Sequence, residues 1–248
     1  MARYFLEVAY IGTNYSGFQI QKNANSIQAE IEKAMEILFH QSFQLTGSSR
    51  TDAGVHAKQN FFHFDSEINI QNKQLYNLNS ILPNDIVVKQ IFIVNNQAHS
   101  RFDAISREYN YIVYQTKDPF LHNYGWHYPY PIDMDLLQEA ASLIIGQQDF
   151  SSFSKKNTQV KNFVCIVHKS QWVSKNNKLV YIVNANRFLR GMVKGLVSTM
   201  LLVGRKKISI ENFKEIIYSR DCCNANFSAH SQGLFLMEVS YNFKGLQV

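Results

Sequence analysis

The stretch Ser48-Ser49-Arg50-Thr51-Asp52-Ala53-Gly54-Val55-His56-Ala57 sets one carboxylate two residues after a cation and two residues before a glycine. Read alone, it is an Asx-turn in which Asp52 satisfies backbone N–H groups ahead of a strand. Asp52 and His56 stand four residues apart, which raises a metal reading. No second pair falls at ligand spacing, however, and adjacent Cys222-Cys223 do not make a zinc knuckle. No metal is expected.

Working outward, residues 4–10 (YFLEVAY) carry enough β-branched and aromatic side chains for a buried strand, stopped at Gly12. The loop-like Gly12–Gln19 stretch follows. Ser26 is placed to cap a helix with Ile27, Ile31, Ala34, Met35 and Leu38 on one stripe. Strand patterns return at 59–64 and 86–94, the second opened by the Pro83-Asn84-Asp85 turn. Asn95-Asn96-Gln97 marks a candidate boundary between residues 1–98 and 99–248. Beyond it, 108–115 alternates as a strand. Asp133 caps a helix that closes at Gly146, and strands fit 163–172 and 179–184 around a turn at 174–177. A helix over 188–203, a short helix after Ser209 and a last strand over 233–241 complete the order. Hairpins mixed with isolated helices predict an α+β fold rather than a doubly wound parallel sheet.

The chain has 248 residues, 46% hydrophobic and 13% aromatic, which excludes a disordered segment. Eleven glycines and four prolines exclude a collagen-like one. The net charge of +6 is unevenly placed. Residues 1–150 hold 10 basic and 15 acidic side chains, a net of −5; residues 151–248 hold 15 and 4, a net of +11. That asymmetry points to a polyanionic partner, nucleic acid before an anionic membrane. Three cysteines are too few for a disulfide framework, the start MARYFLEVAY does not read as a signal peptide, and no apolar run reaches the ~18 residues of a membrane span. A cytoplasmic protein, with no membrane partner, is expected.

Set against known families, the Asp52 stretch resembles the GRTDAGVHA signature of the tRNA pseudouridine synthase A (TruA) family. Residues 10–19 resemble that family's YDGxxYxGWQ opening, and 79–86 its NxxLPxDI turn. Residues 99–104 with 107–111 resemble its HARFSA and RxYxY stretches, and 146–153 its GxHDFxSF. Residues 188–194 resemble FLxxMVR, and 233–236 the terminal GLYL. The matches occur in order along nearly the whole chain. Four departures stand out: Phe18 for the usual tryptophan, Ser48-Ser49 before the RTD triplet, Lys161 where arginine is frequent, and Lys194 for arginine.

The resemblance implies a pseudouridine synthase fold. Its mixed, mainly antiparallel sheet comes from two similar α+β halves, with helices on the outer face and a central RNA-binding cleft. Residues 1–98 would carry the catalytic loop, and the basic residues 99–248 would complete the cleft. It implies isomerisation of uridine to pseudouridine at tRNA positions 38, 39 and 40 in the anticodon arm, by a homodimer. The reaction breaks the C1′–N1 bond and rejoins uracil through C5 without redox change, so no cofactor is expected. By the match, Asp52 is the catalytic carboxylate, acting either as a nucleophile at C1′ or as a base on a glycal route.

The remaining site residues follow the same way. Lys194 is expected to pair with Asp52 and favour its ionised form; lysine keeps the charge but not the bidentate fork of arginine. Arg190 is the second candidate for that role. Tyr109 stacks on the target uracil, since a phenol of pKa about 10 is a poor base near neutrality. Tyr111, on the same strand face, reads as core. Arg50 either fills the space of the flipped uridine or binds the neighbouring phosphate. Arg101 and Arg107 position the RNA backbone, or else make surface ion pairs with Asp103 or Glu108. Lys155-Lys156 and Arg205-Lys206-Lys207 read equally as solvated loops and as backbone contacts. The competing readings are a related synthase with another RNA target, and a non-catalytic RNA-binding protein on the same scaffold. An intact Arg50-Thr51-Asp52 argues against the last.

Overall fold

A computed structural model describes residues 1–156 and 160–246. In chain order the main elements are β1 (Ala2–Tyr10), α1 (Ile27–Phe39), β2 (Thr46–Gly47), β3 (His56–Ser66), α2 (Leu75–Ile81) and β4 (Ile86–Val94). Then come β5 (Ala104–Tyr114), β6 (Trp126–His127), α3 (Met134–Ser142), β7 (Gly146–Asp149), β8 (Val164–Lys175) and β9 (Lys178–Ala185). The chain closes with α4 (Met192–Gly204), α5 (Ile210–Ser219) and β10 (Leu234–Tyr241). Among the described residues, mixed, mostly antiparallel strands with five α-helices make this an α+β protein. Among the described residues, no helix is long and apolar enough to cross a membrane.

Two compact units emerge. The first joins residues 1–105 to 235–248, and the second spans 106–234. The sequence-based boundary at 98 therefore differs from the observed division, which is discontinuous. The reason lies in β10, which pairs in parallel with β3 (Phe235 opposite His56, Leu236 opposite Ala57) and so returns the C-terminal segment to the first unit.

In the first unit the strand order is β4-β1-β3-β10, with β2 on β3. The centre is aromatic because β1 and β3 set Tyr4 opposite Phe64, Phe5 opposite His63 and Leu6 opposite Phe62. Phe5, Leu6, Phe61 and Phe62 are fully buried, each side chain contributing roughly 1.5–3 kcal/mol by leaving water. Ser26 caps α1 as expected, its hydroxyl accepting from the Ala29 N–H, and Ile27, Ile31, Ala34 and Met35 form the buried stripe. Helix α2 has no counterpart in the sequence reading: Leu78 is its one buried residue, so it leaves no apolar period.

In the second unit the order is β5-β9-β8-β7, with β6 parallel to β5. Asn176 and Asn177 join β8 to β9 with φ of 51° and 58°. Two successive positive φ values suit a two-residue turn matched to strand twist. Helix α4 is mostly apolar and buried along nearly its full length, as a core helix is. It starts at Met192, four residues later than the sequence pattern suggests, because Gly191 sits at φ +77° and breaks the helical path. Asp133 caps α3, but that helix ends at Ser142; Gly146, at φ +99°, opens β7 instead of capping α3.

Candidate functional site

The loop carrying Asp52 leads into β3 and is built by two sets of contacts within the first unit. On one side lies the Gly12–Phe18 segment. The Phe18 N–H donates to the Thr51 carbonyl (3.1 Å), the Gly54 N–H to the Tyr15 carbonyl (3.3 Å), and the Val55 N–H closes a turn on the Asp52 carbonyl (3.2 Å). Glycine makes this approach possible. A Cβ on Gly12 would lie 2.0 Å from the Val55 carbonyl oxygen, and one on Gly17, at φ +114°, would lie 3.1 Å from the Thr51 oxygen. The ring of Phe18 stacks on Phe62 at 4.4 Å, filling the space over Gly47.

On the other side the loop rests on buried polar groups. Asn60 is fully buried; its Nδ2 donates to the Ser49 carbonyl (2.9 Å) and to the Tyr10 hydroxyl (3.1 Å). Its Oδ1 accepts from the Ser48 hydroxyl (2.7 Å) and the Phe61 N–H (2.9 Å). The Tyr10 and Thr51 hydroxyls lie 2.8 Å apart. Sequence reasoning gave Tyr10 and Thr51 no role beyond their motifs and gave Asn60 none. The available signal was the amide opening the run Asn60-Phe61-Phe62-His63-Phe64, where a side chain that polar must find internal partners.

The outcome is a half-buried carboxylate on a backbone held from both sides, with the exposed Arg50 two residues away. The loop is further tied to Asp85: the Ile11 N–H donates to the Asp85 carbonyl, and the Tyr15 hydroxyl donates to the Asp85 carboxylate. Burial, and then this carboxylate, push the Tyr15 phenol well above its ordinary pKa. His56 is fully buried; its Nδ1 accepts from the Gly12 N–H (3.1 Å) and its ring stacks on Phe235 at 4.5 Å. It fastens the loop. Among the described residues, the His, Cys, Asp and Glu groups close enough to share a cation are Asp221, Cys222 and Cys223, on a partly exposed turn.

Arg101 follows β4 and is exposed, its guanidinium 5.7 Å from the Phe102 ring centroid. In the second unit, Tyr109 lies on β5 with its ring edge-to-face against Phe188 at 5.0 Å. Tyr111 is fully buried and donates to the His230 carbonyl (2.7 Å), so its core reading holds; burial raises its pKa far above the ordinary phenol value. Arg107 is nearly buried and donates to the Asn186 carbonyl (2.9 Å), while Glu108 pairs with Lys169 at 3.5 Å.

Lys194 occupies the first turn of α4, buried, with its Nζ donating to the Ser231 hydroxyl (3.2 Å). Arg190 falls outside the helix expected over 188–203: it lies in the loop before Gly191, exposed, with its carbonyl accepting from the Lys155 N–H (2.9 Å). Two of the basic-loop candidates have structural partners. Arg205 stands 3.6 Å over the Tyr130 ring and donates to the Tyr128 hydroxyl, and Lys206 pairs with Asp133 at 3.1 Å.

A family model described as tRNA pseudouridine synthase matches residues 7–103 and 140–242. The chain is 40% identical over 243 residues to a tRNA pseudouridine synthase A of Parabacteroides distasonis, covering 97% of this chain and 96% of that one. It is 40% identical over 249 residues to one from Bacteroides thetaiotaomicron, covering 97% and 91%. Across a wider distance, it is 35% identical over 240 residues to one from Staphylococcus aureus, covering 96% and 91%. A family model spanning both units, and relatives matched almost end to end, place the chain: it belongs to the tRNA pseudouridine synthase family.

Proposed function

We propose that the protein isomerises uridine to pseudouridine in tRNA, at positions 38, 39 and 40 of the anticodon arm, with Asp52 as its catalytic residue. The observation that carries the reading is the half-buried Asp52 carboxylate on a loop clamped between the Gly12–Phe18 segment and the Asn60 amide. A reacting carboxylate has to be held in a fixed attitude to gain from proximity, and this loop has that support. Family membership supplies the reaction.

The chemistry balances within the substrate. The C1′–N1 bond breaks, C1′ joins C5, C5 loses a proton and N1 gains one. Asp52 serves either as the nucleophile at C1′ or as the base on the glycal route. Tyr109 offers a ring face to the detached uracil. Arg50 occupies the flipped base's place or holds the adjacent phosphate, since unstacking a base costs a few kcal/mol that the protein must offset. Arg101, Arg107 and Arg190 contribute positive charge toward the phosphates. Lys194 stands in for the family's arginine. The reading includes a homodimer working in the cytoplasm without a cofactor.

The test is to incubate the protein with unmodified tRNA transcripts and map pseudouridine at single-nucleotide resolution. Product at 38, 39 or 40 supports the proposal. Product confined to other positions or other RNAs favours a related synthase with a different target. Binding without product overturns the enzymatic reading.

A further inference from the structure

We infer that Asn60 is a positioning residue for the reaction, acting through Ser49, Tyr10 and Thr51 on the attitude of the Asp52 carboxylate. This rests on the catalytic role proposed for Asp52. A carboxamide offers two N–H donors and one oxygen with two lone pairs. All four are used here: Ser49 and Tyr10 on the nitrogen, Ser48 and the Phe61 N–H on the oxygen. The group therefore has one orientation, fixed by partners that cannot exchange roles, because the Ser49 carbonyl only accepts and the Phe61 N–H only donates.

From this anchor the support runs toward the reacting end. Ser49 is held directly, and Thr51, next to Asp52, is held through the Tyr10 hydroxyl at 2.8 Å. Phe18 and Gly17 close the opposite side of Thr51 and Asp52. Asn60 itself is fully buried behind the loop. Its part in the reaction is to keep Asp52 in place.

An isosteric change isolates this role. Asn60→Asp puts an oxygen where Nδ2 donates to the Ser49 carbonyl, and a carboxylate there meets an acceptor with no proton between them. Protonating the introduced carboxylate restores the donor, and burial raises the pH at which that happens. Tyr10→Phe removes the bridging hydroxyl and leaves the ring. The experiment measures single-turnover pseudouridine formation, tRNA affinity and thermal melting for wild type and both variants from pH 5.5 to 8.5.

Both variants should lose ~10- to 100-fold in the chemical step near pH 8 with tRNA affinity little changed, since small displacements of a reacting group cost rates of that order. The Asn60→Asp deficit should shrink as pH falls, and the Tyr10→Phe deficit should not. Should Asn60→Asp fail to fold, Tyr10→Phe alone decides: a slowed step at unchanged affinity supports the assignment. Variants as fast as wild type would overturn it while leaving the proposed reaction standing. A wild-type protein that forms no pseudouridine would overturn both.

Discussion

The hydroxyls of Tyr10 and Thr51 lie 2.8 Å apart and tie the end of the first strand to the residue preceding Asp52. This one contact shows how the fold serves the site. The strand is placed by hydrophobic burial, and the loop inherits its position from the strand through a short series of hydrogen bonds. On an exposed flexible loop the carboxylate proposed to react would lose the advantage of proximity, whereas here the backbone around it is held by the loop's own hydrogen bonds.

The close approach of the Gly12–Phe18 segment gives a stability prediction. In Gly12→Ala the new methyl would meet the Val55 carbonyl oxygen at 2.0 Å, and backbone cannot move aside as a side-chain tip can. Forcing extra volume into a packed site costs ~1–3 kcal/mol, and each kcal/mol lowers the melting temperature by ~2–4 °C in a chain of this size. Calorimetry should show the drop, together with slower pseudouridine formation. An unchanged melting temperature would contradict the tight contact.

Much of this arrangement was legible in the sequence. Ser26 and Asp133 cap their helices as read, because an N-cap signal is local chemistry. Strand β4 runs from Ile86 to Val94 as expected, opened by a proline turn. Boundaries were lost where one glycine overrode an apolar period, as Gly191 did at the start of α4. Strands β2, β6 and β7 were invisible because each is short and defined by a distant partner. The parallel pairing of β10 with β3 is likewise non-local. At the site, Asp52 stood out by its motif. Asn60 did not, since residues 60–64 are all buried and the strand lacks the alternation that would separate a core-facing amide from a solvated one.

A pH prediction concerns His63. Burial, and then neighbouring His99 and Arg3, lower its pKa to about 4, against smaller opposing effects of Asp65 and Asp103. An unfolded histidine titrates near pH 6.5. Between these values the unfolded chain takes up the proton and the folded chain does not. The contribution to stability is therefore full above about pH 6.5 and falls as pH drops toward 4, by up to ~1.4 kcal/mol per pH unit. His99, also lowered chiefly by burial, acts in the same direction. Denaturant midpoints at pH 7 and pH 5 should differ more for wild type than for His63→Gln. Equal differences would exclude His63 as a source of the dependence.

Salt tests how the RNA is held. The basic excess lies in residues 151–248, net +11, while residues 1–150 are net −5. If lysines and arginines neutralise phosphates, affinity falls with salt, and two such contacts alone give a loss of ~10-fold between 50 and 200 mM. Filter binding or anisotropy with unmodified tRNA should show at least that decrease. A flat dependence would contradict backbone recognition by these residues.

The proposed role of Asp52 is that its carboxylate performs the isomerisation. Its most direct test is single-turnover pseudouridine formation by Asp52→Asn on unmodified tRNA, beside wild type, with tRNA binding and melting measured for both. A folded variant that binds tRNA about as well as wild type and forms no detectable pseudouridine is the expected result. Product formed by Asp52→Asn at the wild-type rate would contradict it.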